Sequence, residues 1–123
     1  MDRLRVVIAG CGRMGRWHAY HAARAGAQVA AGIDPDAGAA GALCRRLLEA
    51  RAFPDLADYL RANAADVVHI CTPAADHVAL ARQALRAGCH VVVEKPVVAS
   101  AAEGRVYIDE LRKPARRKQE SGR

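Results

Sequence analysis

A doubly wound α/β fold, with about five strands in one parallel sheet, is the architecture this sequence predicts, and three observations predict it. Short apolar runs rich in valine and isoleucine recur along the chain. Between them lie stretches whose apolar residues repeat at helical spacing. The runs are continuous rather than alternating, which marks strands buried on both faces, and such strands belong to a parallel sheet with helices on either side.

The first strand is read at 4–9, LRVVIA, ending at Gly10. A helix follows over 13–25, where Met14, Trp17, His21 and Ala25 recur at helical spacing and Gly26 supplies a left-handed stop. The second strand, 28–33 (QVAAGI), closes at Asp34-Pro35, and a helix is expected over 36–50 with Leu43, Leu47 and Ala50 on one face. Residues 51–53 make a short third strand before Pro54, and Asp55 is the N-cap of a helix carrying Leu56, Tyr59 and Leu60. The fourth strand is 66–71 (DVVHIC), closed by Thr72-Pro73. A helix over 75–87 turns Val78, Ala81 and Leu85 inward and stops at Gly88. The fifth strand is 90–93, and a last helix over 100–111 opens on a Ser100/Glu103 capping box.

A chain of 123 residues is long enough for one domain with a real core. Aromatic residues are scarce, so that core must be built from Ala, Val, Leu and Ile. The formal charge of +6 is concentrated at one end: residues 112–123 hold six basic residues against Glu120. The organisation expected is therefore a nearly neutral folded domain over 1–111 and a basic, solvated, disordered tail over 112–123. No aromatic residue is interleaved in the tail to stack on bases, so a nucleic-acid partner is not expected. No run approaches the roughly 20 apolar residues that span a bilayer, so no membrane is expected either. The four cysteines are widely spaced with no C-x-x-C pair, and the N-terminal apolar run is too short for an export signal; the expectation is a reduced, cytoplasmic protein.

Gly10-Cys11-Gly12-Arg13-Met14-Gly15 is G-x-G-x-x-G, following a strand and opening a helix. In that context the first glycine makes a tight turn and the second lets backbone approach a pyrophosphate. The third lets the helix pack closely on the strand, with its free N–H groups aimed at the anion. Asp34, 19 residues after Gly15, ends the second strand, where a carboxylate accepts from ribose hydroxyls and repels a 2′-phosphate. Asp36 adds to that repulsion, so NAD is favoured, while Arg13 keeps NADP open. Strand, turn, helix, second strand and acid in register predict a dinucleotide-binding domain of the Rossmann type. Thr72-Pro73 and Glu94-Lys95-Pro96 end the fourth and fifth strands, and ligands of open α/β sheets lie across such carboxyl ends. His18 and His21 stand three apart on the first helix, but two ligands without a third make a poor metal site, and no metal is expected. Cys11 is the one cysteine near a helix N-terminus, where a thiol pKa can fall; a small residue filling a turn is the simpler reading.

The runs GCGRMGRWHAYHA, GIDPD, HICTPAADH and GCHVVVEKP together resemble the cofactor domain of the glucose–fructose oxidoreductase/inositol dehydrogenase/MocA family, over roughly residues 4–105. The resemblance implies an NAD(P)-dependent oxidoreductase that moves hydride between nicotinamide and a sugar- or cyclitol-like alcohol or carbonyl. It places Gly10, Gly12, Arg13, Met14 and Gly15 at the pyrophosphate and Asp34 at the adenosine ribose. Thr72, Pro73 and His77 would lie beside the nicotinamide half. Glu94 and Lys95 would meet the nicotinamide ribose, with Lys95 also reaching the substrate hydroxyl as the catalytic group. A lysine there can polarise a carbonyl or share an alcohol's proton. His18 and His90 fall where the family carries histidine and are read as packing or hydrogen-bonding residues. His69 stands where the family has an aliphatic residue, and is read as a core or edge histidine with a hydrogen bond. Family members continue into a second, mostly β domain, so this chain is expected to be a truncated cofactor half, without the substrate pocket. The alternative is a non-catalytic, stand-alone dinucleotide-binding module or a truncated gene product. An edge strand left open by the short sheet could be covered by a second copy or another chain.

Overall fold

The computed structural model describes residues 3–95 and 100–112. Pro96 and the expected tail beyond Arg112 lie outside the described residues. The strands are β1 (Arg5–Ala9), β2 (Gln28–Ile33), β3 (Arg51–Phe53), β4 (Val67–Ile70) and β5 (His90–Val93). The helices are α1 (Arg13–Arg24), α2 (Ala37–Cys44), α3 (Leu56–Leu60), α4 (His77–Arg86) and α5 (Ala101–Leu111), with one 3₁₀ turn at Ala74–Asp76. All strand pairs are parallel, in the order β3-β2-β1-β4-β5. The direction of winding reverses between β1 and β4, which opens a crevice at their carboxyl ends.

Both faces of the sheet are buried, as continuous apolar strands require. Val6, Ile8 and Val29 pack with Ala19 of α1 and Ala40 and Leu43 of α2. Val7, Ala9, Val68 and Ile70 pack on the opposite face with Leu56 and Tyr59 of α3 and Ala81 and Ala84 of α4. Successive residues of β1 thus serve opposite layers. Gly26 and Gly88 end α1 and α4 at positive φ, as expected of stops. Asp55 caps α3 by accepting from the Asp58 amide at 2.7 Å, and Ser100 caps α5 by accepting from the Glu103 amide at 3.2 Å.

One expectation is corrected. The helix over 36–50 ends at Cys44, and the Arg46 and Leu47 amides close tighter turns on the Leu43 and Cys44 carbonyls. Arg51 must lie beside Ala31 for β3 to join the sheet, and a helix continued from 44 to 50 would instead carry the chain about 9 Å further along its own axis. Leu47 and Ala50 still pack on the α1–α2 layer from these turns, while Leu48 is fully exposed. In α1, the spacing of Met14, Trp17, His21 and Ala25 marks the outer face: Met14 and Trp17 are exposed, and Gly15, His18 and Ala19 are buried. A helix this close to the sheet turns inward its small residues and, toward β4, His18.

The last helix is tied down by charge. Glu110 of α5 is 3% exposed and accepts from Arg82 Nε at 3.2 Å and Arg86 Nε at 3.0 Å, both on α4. The two arginine side chains keep 41% and 44% of their surface in water against 2% for the acid, so losing the acid returns them to water, whereas losing both arginines strips a buried carboxylate of them. Arg82→Met with Arg86→Met should therefore cost about 3 kcal/mol, and Glu110→Gln about half that, in urea unfolding.

Candidate functional site

The turn after β1 is shaped by what two glycines must avoid. Gly10 has φ +96°, and a Cβ there would meet the Cys71 carbonyl carbon at 2.6 Å and the Thr72 nitrogen at 2.8 Å. The turns after β1 and β4 are therefore in backbone contact at the point where the sheet's winding reverses. A Cβ on Gly15 would stand 1.8 Å from the Gly10 carbonyl oxygen, so the first turn of α1 lies directly on the turn before it. Gly12 differs: it is exposed, and a Cβ would meet nothing within 4 Å. It is also the N-cap of α1 and supplies no side chain to the helix's free N–H groups. The outcome is an open, uncapped helix N-terminus, flanked by the exposed side chains of Arg13 and Met14.

Asp34 joins this turn to the end of β2. Its Oδ2 accepts from the Cys11 amide at 2.9 Å and its Oδ1 from the Asp36 amide at 2.9 Å. Asp36 is occupied differently, capping α2 by accepting from the Gly38 and Ala39 amides. A cleft of about 520 Å³ runs from Ile33 and Pro35 across to Leu56, Thr72 and Leu80. It lies at the carboxyl ends of β1 and β2, on the α3–α4 side.

On the other side of the switch point are Thr72, Pro73, Glu94 and Lys95. Thr72 is half-buried, and Pro73 and Lys95 are exposed. His77 is 1% exposed and directs Nε2 at the Thr72 carbonyl, 2.7 Å away. It has almost no surface to offer a ligand; its geometry is that of a brace for the turn after β4. Glu94 takes its backbone place from the hydrogen bond that its N–H donates to the Ile70 carbonyl, 3.0 Å. Its carboxylate meets His18, and His18 in turn meets His69, a grouping sequence spacing did not reveal because the three lie on different elements. The departure of His69 from an aliphatic residue was the one signal of it. His21 does not join His18; it packs against Trp17 at a tilt, with ring centres 4.1 Å apart. Among the described residues no group of three or more His, Cys, Asp or Glu is placed to hold a metal ion.

The thiol next to the turn is a small residue filling it, as read from the sequence, and not an activated one. Cys11 is fully buried, and burial first and the Asp34 carboxylate second push it up to about 12. Cys71 is likewise pushed up to about 12, by burial and then by Glu94. Neither is a nucleophile at neutral pH. An aromatic disulfide reagent at pH 8 should label both at least about tenfold more slowly in the native chain than in guanidinium, because the thiolate is the reacting form.

These residues fit a dinucleotide. The uncapped start of α1 offers N–H donors and room at Gly12 for a pyrophosphate, Asp34 offers a carboxylate at the end of β2, and the cleft beyond offers apolar walls. Among the described residues no helix is long and apolar enough to cross a membrane. Over residues 4–119 the chain matches the family model for the oxidoreductase family with an NAD-binding Rossmann fold. It is 41% identical over 102 residues to an inositol 2-dehydrogenase of Leifsonia xyli subsp. xyli, covering 81% of this chain and 30% of that protein. It is 37% identical over 108 residues to a UDP-N-acetylglucosamine 3-dehydrogenase of Acidithiobacillus ferrooxidans, covering 88% and 33%. Among solved structures, the myo-inositol dehydrogenase of Lactobacillus casei in complex with NAD(H) and myo-inositol superposes with a TM-score of 0.84 at 29% identity, over 91% of this chain and 34% of that one. The WlbA dehydrogenase of Bordetella pertussis in complex with NADH and UDP-GlcNAcA gives 0.83 at 29%, over 89% and 33%. The chain thus spans about a third of the length of these relatives. An uncapped glycine turn at the switch point of a parallel sheet, an acid closing β2 and the family match together establish that this chain belongs to the glucose–fructose oxidoreductase/inositol dehydrogenase/MocA family, as its NAD-binding Rossmann domain.

Proposed function

We propose that this chain is the cofactor-holding part of a dehydrogenase that moves hydride between NAD and an alcohol or carbonyl of a sugar or cyclitol. The observation that carries the reading is the glycine turn, closed at Gly10 and Gly15 and open at Gly12, facing the carboxyl ends of β2, β4 and β5. Gly10, Gly12, Arg13, Met14 and Gly15 hold the pyrophosphate, and Asp34 the adenosine ribose. Thr72, Pro73, Glu94 and Lys95 attend the nicotinamide half, with His77 bracing the turn beside it. When bound, NAD supplies the hydride acceptor. Lys95, adjoining the nicotinamide ribose, hydrogen-bonds the substrate oxygen, sharing its proton when an alcohol is oxidised and polarising it when a carbonyl is reduced. The named substrates of the relatives, inositol and a nucleotide sugar, support a polyol-like class.

The short span against those relatives favours a second reading for the chain on its own: binding without turnover. Titration with NADH and NADPH decides between outcomes, and the single tryptophan, Trp17 on α1, is a convenient energy donor to the reduced nicotinamide. NADH is expected to bind more tightly than NADPH. Absence of binding to either at millimolar concentration would overturn the cofactor reading; oxidation of a polyol by the purified chain would overturn the second one.

A further inference from the structure

Behind the glycine turn, on the α1 side of the sheet, three titratable side chains form a chain of hydrogen bonds. His69 stands in β4, level with Ile8 of β1 and Val92 of β5. Its Nδ1 lies 2.8 Å from Nδ1 of His18, and Nε2 of His18 lies 2.5 Å from Oε2 of Glu94. The two rings cross at 82°, and His18 is 9% exposed. An ionised Glu94 has no proton to give, so Nε2 of His18 carries one. Two arrangements then close the His18–His69 bond. A neutral His18 accepts at Nδ1 from the Nδ1–H of His69, or a charged His18 donates from Nδ1 to a neutral His69 protonated on Nε2. A second imidazole charge would set N–H against N–H and break the chain.

The surroundings hold it to this. Trp17 edges onto His18 from α1, with His21 on the far side of Trp17. Cys71, at the end of β4, keeps its proton beside Glu94. Lys95 follows Glu94, and His90 stands exposed at the start of β5. Burial and then the charge of His18 push His69 below its ordinary value of 6.5.

We propose that His69 is a positioning residue for the cofactor site: it locks the ring of His18, which fixes the Glu94 carboxylate and with it the adjoining Lys95 at the end of β5. This rests on the cofactor reading of Glu94 and Lys95. A lowered folded pKa favours the neutral ring, so its stabilising effect is complete above about 6.5 and is lost as pH falls through the lower folded value. NADH affinity should fall over the same interval, as the second proton separates the rings.

The test is ¹⁵N NMR of the imidazoles together with NADH titration from pH 5.5 to 8.5. Between pH 7 and 8.5, one Nδ1 of the pair should carry a proton and the other a bare lone pair. His69→Leu should weaken NADH binding about fivefold at pH 7.5 and flatten its fall in acid. His69→Asn, whose amide nitrogen comes near the place of Nδ1, should restore affinity to within about twofold. Two bare Nδ1 atoms in the wild type overturn the proposal whether or not the Leu variant folds; so does a His69→Leu pH profile that superimposes on the wild type. A wild-type chain that binds no NADH overturns the cofactor reading instead, and the Nδ1 signals still decide how His69 and His18 are joined.

Discussion

Gly12→Ala is expected to leave thermal unfolding of this chain nearly unchanged while weakening NADH at least about tenfold, and Gly15→Ala to lower both the unfolding temperature and the affinity. The two glycines belong to one motif and lie three residues apart, but the space around them is opposite. At Gly15 an added methyl meets a backbone oxygen at 1.8 Å, and no side chain can move aside. The first turn of α1 would have to lift from the turn after β1, at a cost on the order of 3 kcal/mol, or roughly 15 °C in a domain this small. At Gly12 φ is −80° and a Cβ meets nothing, so alanine is tolerated by the fold, within about 0.5 kcal/mol. The methyl would instead occupy the approach to the helix's free N–H groups, where the pyrophosphate is read to sit. Differential scanning fluorimetry and NADH titration on the same two proteins check this. If Gly12→Ala binds NADH as the wild type does, the anion is not held at this turn.

The parts of the fold legible in the sequence were those with local causes. Continuous apolar runs located four of the strands to within a residue or so, the short third was placed before Pro54, and Asp55, Ser100, Gly26 and Gly88 marked helix ends through their own backbone chemistry. The α2 overrun had a non-local cause: Leu47 and Ala50 have helical spacing, yet the chain had to turn early so that Arg51 could meet Ala31. The face that α1 buries also has a non-local cause. Trp17 and Met14 look like core residues by size, but the close approach at Gly15 leaves room inward only for small ones and for His18.

The site divides in the same way. Glycine turn and Asp34 form a contiguous local pattern with a fixed offset, and they are adjacent in the structure. The Glu94–His18–His69 chain joins α1, β4 and the end of β5, 51 and 76 residues apart for its two bonds, and no spacing rule connects them. Cys11 shows the limit of a position rule. Nearness to a helix N-terminus would lower its pKa, but full burial and the carboxylate of Asp34 outweigh that.

Asp34→Asn should shift the preference between NADH and NADPH by at least about tenfold toward NADPH, and should also destabilise the free chain. The substitution keeps the shape of the side chain and removes its charge, so it isolates the electrostatic part of selectivity. With the carboxylate present, a 2′-phosphate on the adenosine ribose meets a like charge at the end of β2; with an amide it does not, and Arg13 in the same turn becomes an uncontested attraction. The cost to the free chain follows from the carboxylate's two bonds. Its oxygens accept from the amides of Cys11 and Asp36, and an amide side chain can present only one oxygen. The other amide then faces an NH₂ group, a loss of about 1–2 kcal/mol. Asp36→Asn is the control. Its side chain already serves the Gly38 and Ala39 amides as the cap of α2, and asparagine caps as well as aspartate, so stability should hold and the preference should move less than about threefold. Parallel NADH and NADPH titrations of the three proteins, each with its urea midpoint, read both effects. An Asp34→Asn chain with the wild-type ratio of affinities would move the origin of selectivity away from β2, to the Arg13 side of the turn.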